Sequence, residues 1–357
     1  MKVGIITLAL ENNYGGILQN FALQYVLRQM GHEPMTCRWT TYTNLGFCRA
    51  ALKSLLKGGK DFPTPPWVYH RNRRGLEDFI RKNISYKYYR NPSKFFNWFK
   101  PDAMIVGSDQ VWRPKYNNHL YSAFLDFVSD CSIKRIAYAA SFGVGEWEYS
   151  EEQEKTCREL IGRFDAVSVR EKSGVGLCKN HFNVDAQCVL DPTLLVDRKV
   201  YEDLCASIPK EDESILVYMV DFSEAIKQQA EKLSQSTGLP IKIIEADKGV
   251  TQNDSVAKWL AAFRDARCVI TDSFHGTVFS IIFEKNFVAI GNKRRGYDRF
   301  VSLLGAFNLA DFLIRENSTN AIKDKVSLDR DYISVKMLRK AKIADGYSFI
   351  KSAIIQK

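Results

Sequence analysis

Two doubly wound α/β units with parallel sheets are the fold predicted for this chain, and three observations predict it. Short β-rich apolar runs recur along the sequence, each followed by a polar turn and then by apolar residues at helical spacing. Glycines stand where several of those helices should stop. The chain's 357 residues also exceed what one hydrophobic core comfortably serves, so two domains are expected.

The first series opens with Val3–Leu8 as a strand, the loop Glu11–Gly16, and a helix from about Ile17 to Met30. Leu18, Phe21, Ala22, Tyr25 and Val26 form that helix's apolar stripe, and Gly31 suits its end. Ala103–Val106 then runs into Gly107-Ser108-Asp109-Gln110, and Arg135–Ala139 into Ala140-Ser141-Phe142-Gly143. Ala166–Val169 leads to Arg170-Glu171-Lys172-Ser173-Gly174 and a short helix, while Val189-Leu190 precedes Asp191-Pro192-Thr193. The second series alternates strands at Ile215–Val220, Ile241–Ile244, Cys268–Thr271 and Asn286–Ile290 with helices at Glu224–Thr237 and Val256–Phe263. A further helix is expected over Val278–Phe283. The join falls around Val196–Ser207, which gives units of residues 1–200 and 201–330. The tail, residues 331–357, carries basic and apolar residues at helical spacing and reads as helices that pack back on the body. In doubly wound sheets ligands bind beyond the carboxyl ends of the strands, so the polar turns are where chemistry should sit.

Composition narrows the class. A hydrophobic content of 45% with 26% charged residues is ordinary for a soluble globular protein. No apolar run approaches the roughly 20 residues of a membrane-spanning helix, and the start, Met1–Thr7, is too strand-like for a secretory signal. A cytoplasmic protein is expected. The eight cysteines show neither a CxxC pair nor a metal-ligand rhythm, which favours reduced thiols and no metal site. Two of them, Cys188 and Cys268, fall in apolar strands. The net charge of +10 suits nucleic acid, an anionic membrane surface or an anionic substrate. Much of it is concentrated in Tyr69–Lys100, where nine Lys and Arg face only Glu77 and Asp78 and are interleaved with nine aromatics. That run reads as an amphipathic helix with Leu76, Phe79 and Ile80 turned inward, as an RNA-stacking surface, or as a contact with anionic lipid. Without an RNP-type or zinc-finger pattern, no nucleic-acid partner is expected.

The most informative turn is Thr271-Asp272-Ser273-Phe274-His275-Gly276-Thr277. It carries a buried strand into a helix N-terminus, where leftover N–H groups and the helix dipole favour an anion. Gly276 and Thr277 would supply N–H groups, and His275 a proton. A lone His at such a turn is also a common packing residue. Asp109 reads as a base for a hydroxyl or as a turn stabiliser, and Trp112 as a flat surface for a sugar ring. Arg170 reads as an anion ligand or as a structural ion-pair partner. Asn13-Tyr14-Gly15-Gly16 lacks the GxGxxG spacing of a dinucleotide site.

Together the segments GIITLALENNYGGILQNFALQYVL, DAMIVGSDQVW, IAYAASFG, VSVREKSG, VLDPTLLV and VITDSFHGTVFSIIF resemble the polysaccharide pyruvyl transferases, in order over roughly residues 3 to 300. The resemblance implies a glycosyltransferase-B type fold, with two Rossmann-like domains facing a cleft and C-terminal helices packing back. It implies transfer of pyruvyl from phosphoenolpyruvate to two hydroxyls of a sugar, giving a cyclic ketal and phosphate. The acceptor would be a surface-polysaccharide precursor, often lipid-linked, and no metal or cofactor beyond the donor substrate is expected. In that reading His275 is the proton donor, and Asp109 or Asp272 accepts the hydroxyl proton. Arg170, Ser273, Gly276 and Thr277 hold the donor on the second unit. Asn13, Tyr14, Gly15, Gln110, Trp112 and Ser141 meet the acceptor on the first. Some members carry an Arg two residues before this His, where this chain has Ser273. Lys293, Arg294 and Arg295 are the cations that would compensate. A nucleotide-sugar glycosyltransferase of the same architecture is the alternative, and a non-enzymatic basic binding protein is the third class.

Overall fold

The computed structural model describes residues 1–39, 44–56, 63, 65–130, 132–246, 250–292, 295–328 and 330–355. The first part of the chain runs β1 (Lys2–Ile6), α1 (Tyr14–Gln29), β2 (Glu33–Arg38), α2 (Asn44–Leu56), α3 (Pro66–Asn72), α4 (Arg74–Asn83) and β3 (Tyr86–Tyr88). It continues through α5 (Pro92–Phe99), β4 (Ala103–Val106), β5 (Lys134–Ala140), α6 (Glu151–Ile161), β6 (Ala166–Val169), α7 (Lys172–Leu177) and β7 (Gln187–Cys188). These strands form one sheet in the order β3-β2-β1-β4-β5-β6-β7, with every pair parallel. Its central strands β1 and β4 are almost wholly buried, as expected where helices cover both faces.

Helices α8 (Pro192–Leu195) and α9 (Arg198–Leu204) lead to the second sheet. Its elements are β8 (Ser214–Met219), α10 (Glu224–Thr237), β9 (Ile241–Glu245), α11 (Val256–Asp265), β10 (Ala266–Thr271), α12 (Phe274–Ile282) and β11 (Asn286–Gly291). Then come α13 (Tyr297–Gly305), β12 (Leu313–Arg315), α14 (Ile322–Ser327) and α15 (Tyr332–Ile355). The order is β12-β11-β10-β8-β9, again parallel throughout. In each sheet the strand order reverses once, between β1 and β4 and between β8 and β10. Both reversals open the crevice at the carboxyl ends where such sheets take ligands.

The fold is the one expected, with several differences in detail. Helix α1 starts at Tyr14 instead of Ile17 and α12 at Phe274 instead of Val278, so Gly15 and His275 lie in first helical turns and not in loops. The cause at α12 is Ser273, whose side chain accepts the Gly276 N–H and so starts the helix early. Strands β2 and β3 and helices α2 and α5 had no clear signal. Pro34 and the charged ends of β2 obscure its period, and β3 has only three residues. The tail is one helix, α15. It returns to the first sheet, where Arg339 donates to the Leu194 and Val196 carbonyls and Phe349 meets Tyr138 at 6.0 Å. Cys188 is exposed on the two-residue edge strand β7, while Cys268 is buried.

One hydrophobic core runs through both sheets, taking in Leu18 of α1, Tyr138 of β5, Trp259 of α11, Phe279 of α12 and Ile350 of α15. Tyr14 stacks on Trp259 across the join, with centroids 5.5 Å apart and planes 13° from parallel. Such a pair adds about 0.5–1.5 kcal/mol beyond its burial. Leu76, Phe79 and Ile80 of α4 are buried as the amphipathic reading requires. The basic run Tyr69–Lys100 is nevertheless not one surface. Arg73 is buried, pairs with Glu77 at 3.0 Å and donates to the Leu10 carbonyl, and Arg38 also pairs with Glu77. Among the described residues no helix is long and apolar enough to cross a membrane, and no group of His, Cys, Asp and Glu could hold a metal ion.

Candidate active site

The turn from β10 to α12 builds the centre of the site, though not by the atoms expected. The Ser273 hydroxyl oxygen accepts the Gly276 N–H at 3.2 Å, and the Ser273 carbonyl accepts both the N–H and the hydroxyl of Thr277. The N–H groups of Gly276 and Thr277 are therefore occupied inside the helix and do not face a ligand. The early helix start moves that role to Phe274 and His275, whose N–H groups have no intrahelical acceptor.

His275 is 6% exposed and sits between two elements of the first half of the chain. Its Nε2 lies 3.6 Å from Asp191 Oδ2. Its Nδ1 lies over Gly15: a Cβ there would be 2.0 Å from that nitrogen. Gly15 is thus in contact with the imidazole and not with a sugar, and only a residue without a side chain lets the two helices meet. The consequence is convergence of two helix N-termini. Asn13 precedes α1 in extended conformation and its side chain makes no capping hydrogen bond, so the first-turn amides of α1 stay open.

Asp191, three residues beyond β7 and the N-cap of α8, organises the floor. Its Oδ2 accepts from the Ser108 hydroxyl at 2.7 Å and from Arg170 Nη1 at 3.1 Å. Its Oδ1 accepts from the Thr193 N–H and hydroxyl at 3.0 and 2.6 Å. Burial alone would raise its pKa, but His275, Arg170 and the Thr193 hydroxyl outweigh that and hold it far below the usual carboxylate range. Arg170 also lies 3.6 Å from Asp109 and 3.9 Å from Glu171, and its guanidinium covers the Phe274 ring at 4.4 Å. It is enclosed by carboxylates, in the manner of the structural ion-pair reading. Glu171 is itself fully buried, and burial pushes its carboxyl up despite Arg170 and Arg299 and the Ser141 and Phe142 donors.

The structure separates the two carboxylates left open as the base. Asp272 is committed: its Oδ1 accepts the Val220 N–H at 2.6 Å and its Oδ2 the Asp221 N–H at 2.7 Å, and burial raises its pKa. It ties the ends of β8 and β10 together. Asp109 has a backbone φ of +89°, in the region that disfavours a side chain, a type of strain that clusters at functional sites. Its Oδ1 accepts the Gln110 N–H at 2.8 Å, and its Oδ2 approaches Asn13 Nδ2 at 3.5 Å.

A cleft of about 370 Å³ opens here, and Asn13, Asp109, Gln110, Ser273, His275 and Arg299 are among its lining residues. Of the expected acceptor residues, Asn13 and Gln110 reach it. Trp112 does not. It is fully buried, stacks on Phe124 at 5.1 Å and donates its indole N–H to the Ala123 carbonyl, because the apolar layer under the turn offers it more than water does. Ser141 is buried, with its hydroxyl oxygen accepting the Gly143 N–H, and Tyr14 is taken up by Trp259. Arg295 lines the cleft and pairs with Asp221; Lys293 and Arg294 lie outside the described residues. Two residues at the site had gone unnoticed as candidates. Asp191 stood at a strand end within a quoted segment, which was signal enough. Arg299, the third residue of α13, carried none, because an Arg in a short helix normally faces solvent.

The chain matches one protein family, described as polysaccharide pyruvyl transferase, over residues 13–294. No curated protein sequence gave a match. Among solved structures it is similar to the UDP-GlcNAc 2-epimerase from Methanocaldococcus jannaschii, at 12% identity and a TM-score of 0.53 over 96% of this chain and 99% of that one. It is also similar to the UDP-GlcNAc 2-epimerase from Neisseria meningitidis bound to UDP-GlcNAc, at 10% identity and a TM-score of 0.47 over 100% of both chains. A third is the spinosyn rhamnosyltransferase SpnG complexed with thymidine diphosphate, at 11% identity and a TM-score of 0.48 over 99% of both. At these identities the likeness is one of fold alone, and the first of the three supports it: an α/β fold with two parallel sheets.

Proposed function

Since this chain belongs to the polysaccharide pyruvyl transferase family, we propose that it transfers pyruvyl from phosphoenolpyruvate to two hydroxyls of a sugar and releases phosphate. The observation that carries the reading is the buried His275–Asp191 pair set against Gly15, where two helix N-termini share one cleft. The donor is small and doubly acidic. Its phosphate and carboxylate suit the open first-turn amides of α1 and those of Phe274 and His275.

In the proposed reaction His275 gives a proton to C3 of the enol, and C2 becomes electrophilic. One sugar hydroxyl attacks C2 as Asp109 takes its proton. The second hydroxyl then attacks the same carbon, the C2–O bond to phosphate breaks, and its proton leaves with the phosphate. Asp191 Oδ2 lies 3.6 Å from Nε2 and fixes the side of the ring that faces the floor of the cleft. Asn13 and Gln110, which line the cleft beside Asp109, are proposed to meet the sugar. Phosphate release that requires both phosphoenolpyruvate and a diphosphate-linked saccharide is the expected result. Release with either alone, or with neither, would remove this assignment.

A second reading has an observation of its own. A crevice of about 670 Å³ beyond β8, β10 and β11, bordered by Asp221, Ser223, Asn292 and Arg295, shares Asp272 and Arg295 with the cleft. It has room for a nucleotide diphosphate, as a nucleotide-sugar glycosyltransferase would need. Calorimetry with uridine and guanosine sugar nucleotides against phosphoenolpyruvate separates the two.

The acceptor proposed is a lipid-linked precursor at the cytoplasmic face of a membrane, reached through peripheral contact with anionic lipid. Exposed Leu52, Leu55 and Leu56 on α2, a helix whose sequence carries Arg49 and Lys53 and no acid, suit such a surface. Reversing Arg49, Lys53, Arg74 and Lys82 to Glu should abolish co-sedimentation with anionic vesicles; equal binding would argue against the contact. Arg73 is left out of that set because it is buried and ion-paired.

A further inference from the structure

We infer that Arg299 is the cationic anchor of the cleft, binding an oxyanion of the ligand through a guanidinium that the protein itself leaves without a counterion. In the reading above, on which the identity of the ligand rests, that oxyanion is the phosphate or carboxylate of phosphoenolpyruvate.

The local fold explains how an arginine comes to be buried here. Gly296, at φ +97°, precedes α13 and lies so close to the first half that a Cβ would be 1.6 Å from the Gly143 carbonyl oxygen. The Lys172 N–H donates to Ser302 on the same helix at 2.9 Å. Pressed in this way, the first turn of α13 turns Arg299 into the cleft instead of toward water, at 7% exposure. Its guanidinium sits 5.5 Å from the Phe274 ring, the ring that also carries Arg170.

The two arginines differ in what surrounds them. Arg170 has Asp191, Asp109 and Glu171 within 4 Å and its charge is spoken for. Arg299 makes no ion pair among the described residues. Its Nη2 donates to the Arg295 carbonyl, its Nε is buried with no partner, and Glu171 and Asp109 act on it only from beyond pairing distance. Burial and then Arg170 bring its pKa down to about 10, which still leaves it charged at neutral pH. A buried cation without an anion is a cost to the empty protein. An entering oxyanion removes that cost, and a planar guanidinium suits either phosphate or carboxylate.

The experiment compares wild type with Arg299→Gln and Arg299→Lys. Each is titrated calorimetrically with phosphoenolpyruvate, inorganic phosphate and uridine diphosphate, and each is melted without ligand. Loss of one partner of a buried charge pair predicts an affinity weaker by roughly 30-fold or more in Arg299→Gln. Partial recovery is expected in Arg299→Lys, with a ligand-free melting temperature equal to or above wild type in both. Unchanged affinity for every anion in Arg299→Gln overturns the inference, as does a lowered melting temperature that accounts for the loss. Failure of all three anions to bind wild type overturns it too. If phosphate or uridine diphosphate binds wild type through Arg299 while phosphoenolpyruvate does not, the anchor stands and the donor assignment falls. If phosphoenolpyruvate binds wild type and Arg299→Gln equally, the donor stands and the anchor falls.

Discussion

Replacing His275 by alanine should lower phosphoenolpyruvate-dependent phosphate release by roughly 100-fold or more, the range of a positioned general acid. The imidazole lies where the two helix N-termini meet, with Nε2 facing Asp191 and Nδ1 facing Gly15. A group acting only through packing would be replaced well by His275→Gln, which keeps much of the volume. Both variants are therefore expected to lose turnover, with donor affinity falling less than the rate. Full activity in a folded His275→Ala protein, its folding checked by thermal melting, would end the acid role.

The second large effect falls on Asp191. Its carboxylate meets Arg170, His275, the Ser108 hydroxyl and two donors of Thr193 with no exposure to water. Asp191→Ala removes the nearest of the three carboxylates around Arg170 and leaves the buried Ser108 and Thr193 donors without their acceptor, and about 3–5 kcal/mol of stability should go with them, read as a lower midpoint in urea. Asp191→Asn keeps an acceptor for Thr193, and so isolates the loss of charge beside the imidazole. It should slow turnover roughly 10²–10⁴-fold.

A pH dependence follows from the same residue. An unfolded Asp titrates at about 3.9, whereas His275 and Arg170 overcome burial and hold Asp191 far below that. Its contribution is present above the unfolded value and is lost as pH falls through the folded one. Wild type and Asp191→Asn should therefore converge in stability on acidification. Parallel curves down to pH 2 would contradict the assignment.

The parallel character of both sheets was readable in the sequence because β1, β4, β5, β6, β8, β10 and β11 are mostly buried apolar runs closed by polar turns. His275 and Asp109 could be picked out because they sit on those turns. The start of α12 lies at Phe274 because the Ser273 side chain folds back onto Gly276, and the period of apolar residues does not carry that; the early start of α1 at Tyr14 has no such side-chain cap. Trp112 was misread because an aromatic beside a polar turn has the same sequence signature whether it faces the cleft or the core. Arg299 was invisible for a different reason. Its burial is imposed by the approach of Gly296 to Gly143, residues more than 150 positions apart.

Gly15 has a bearing on what unfolding does to the site. The His275 imidazole lies against Gly15 and beside the Asp191 carboxylate, so its setting is assembled from three stretches far apart in the sequence. One core runs through both sheets, so a partly denatured molecule is expected to lose this setting. If His275 acts as proposed, turnover should be lost no later than the contact between these three stretches as the protein is unfolded in urea.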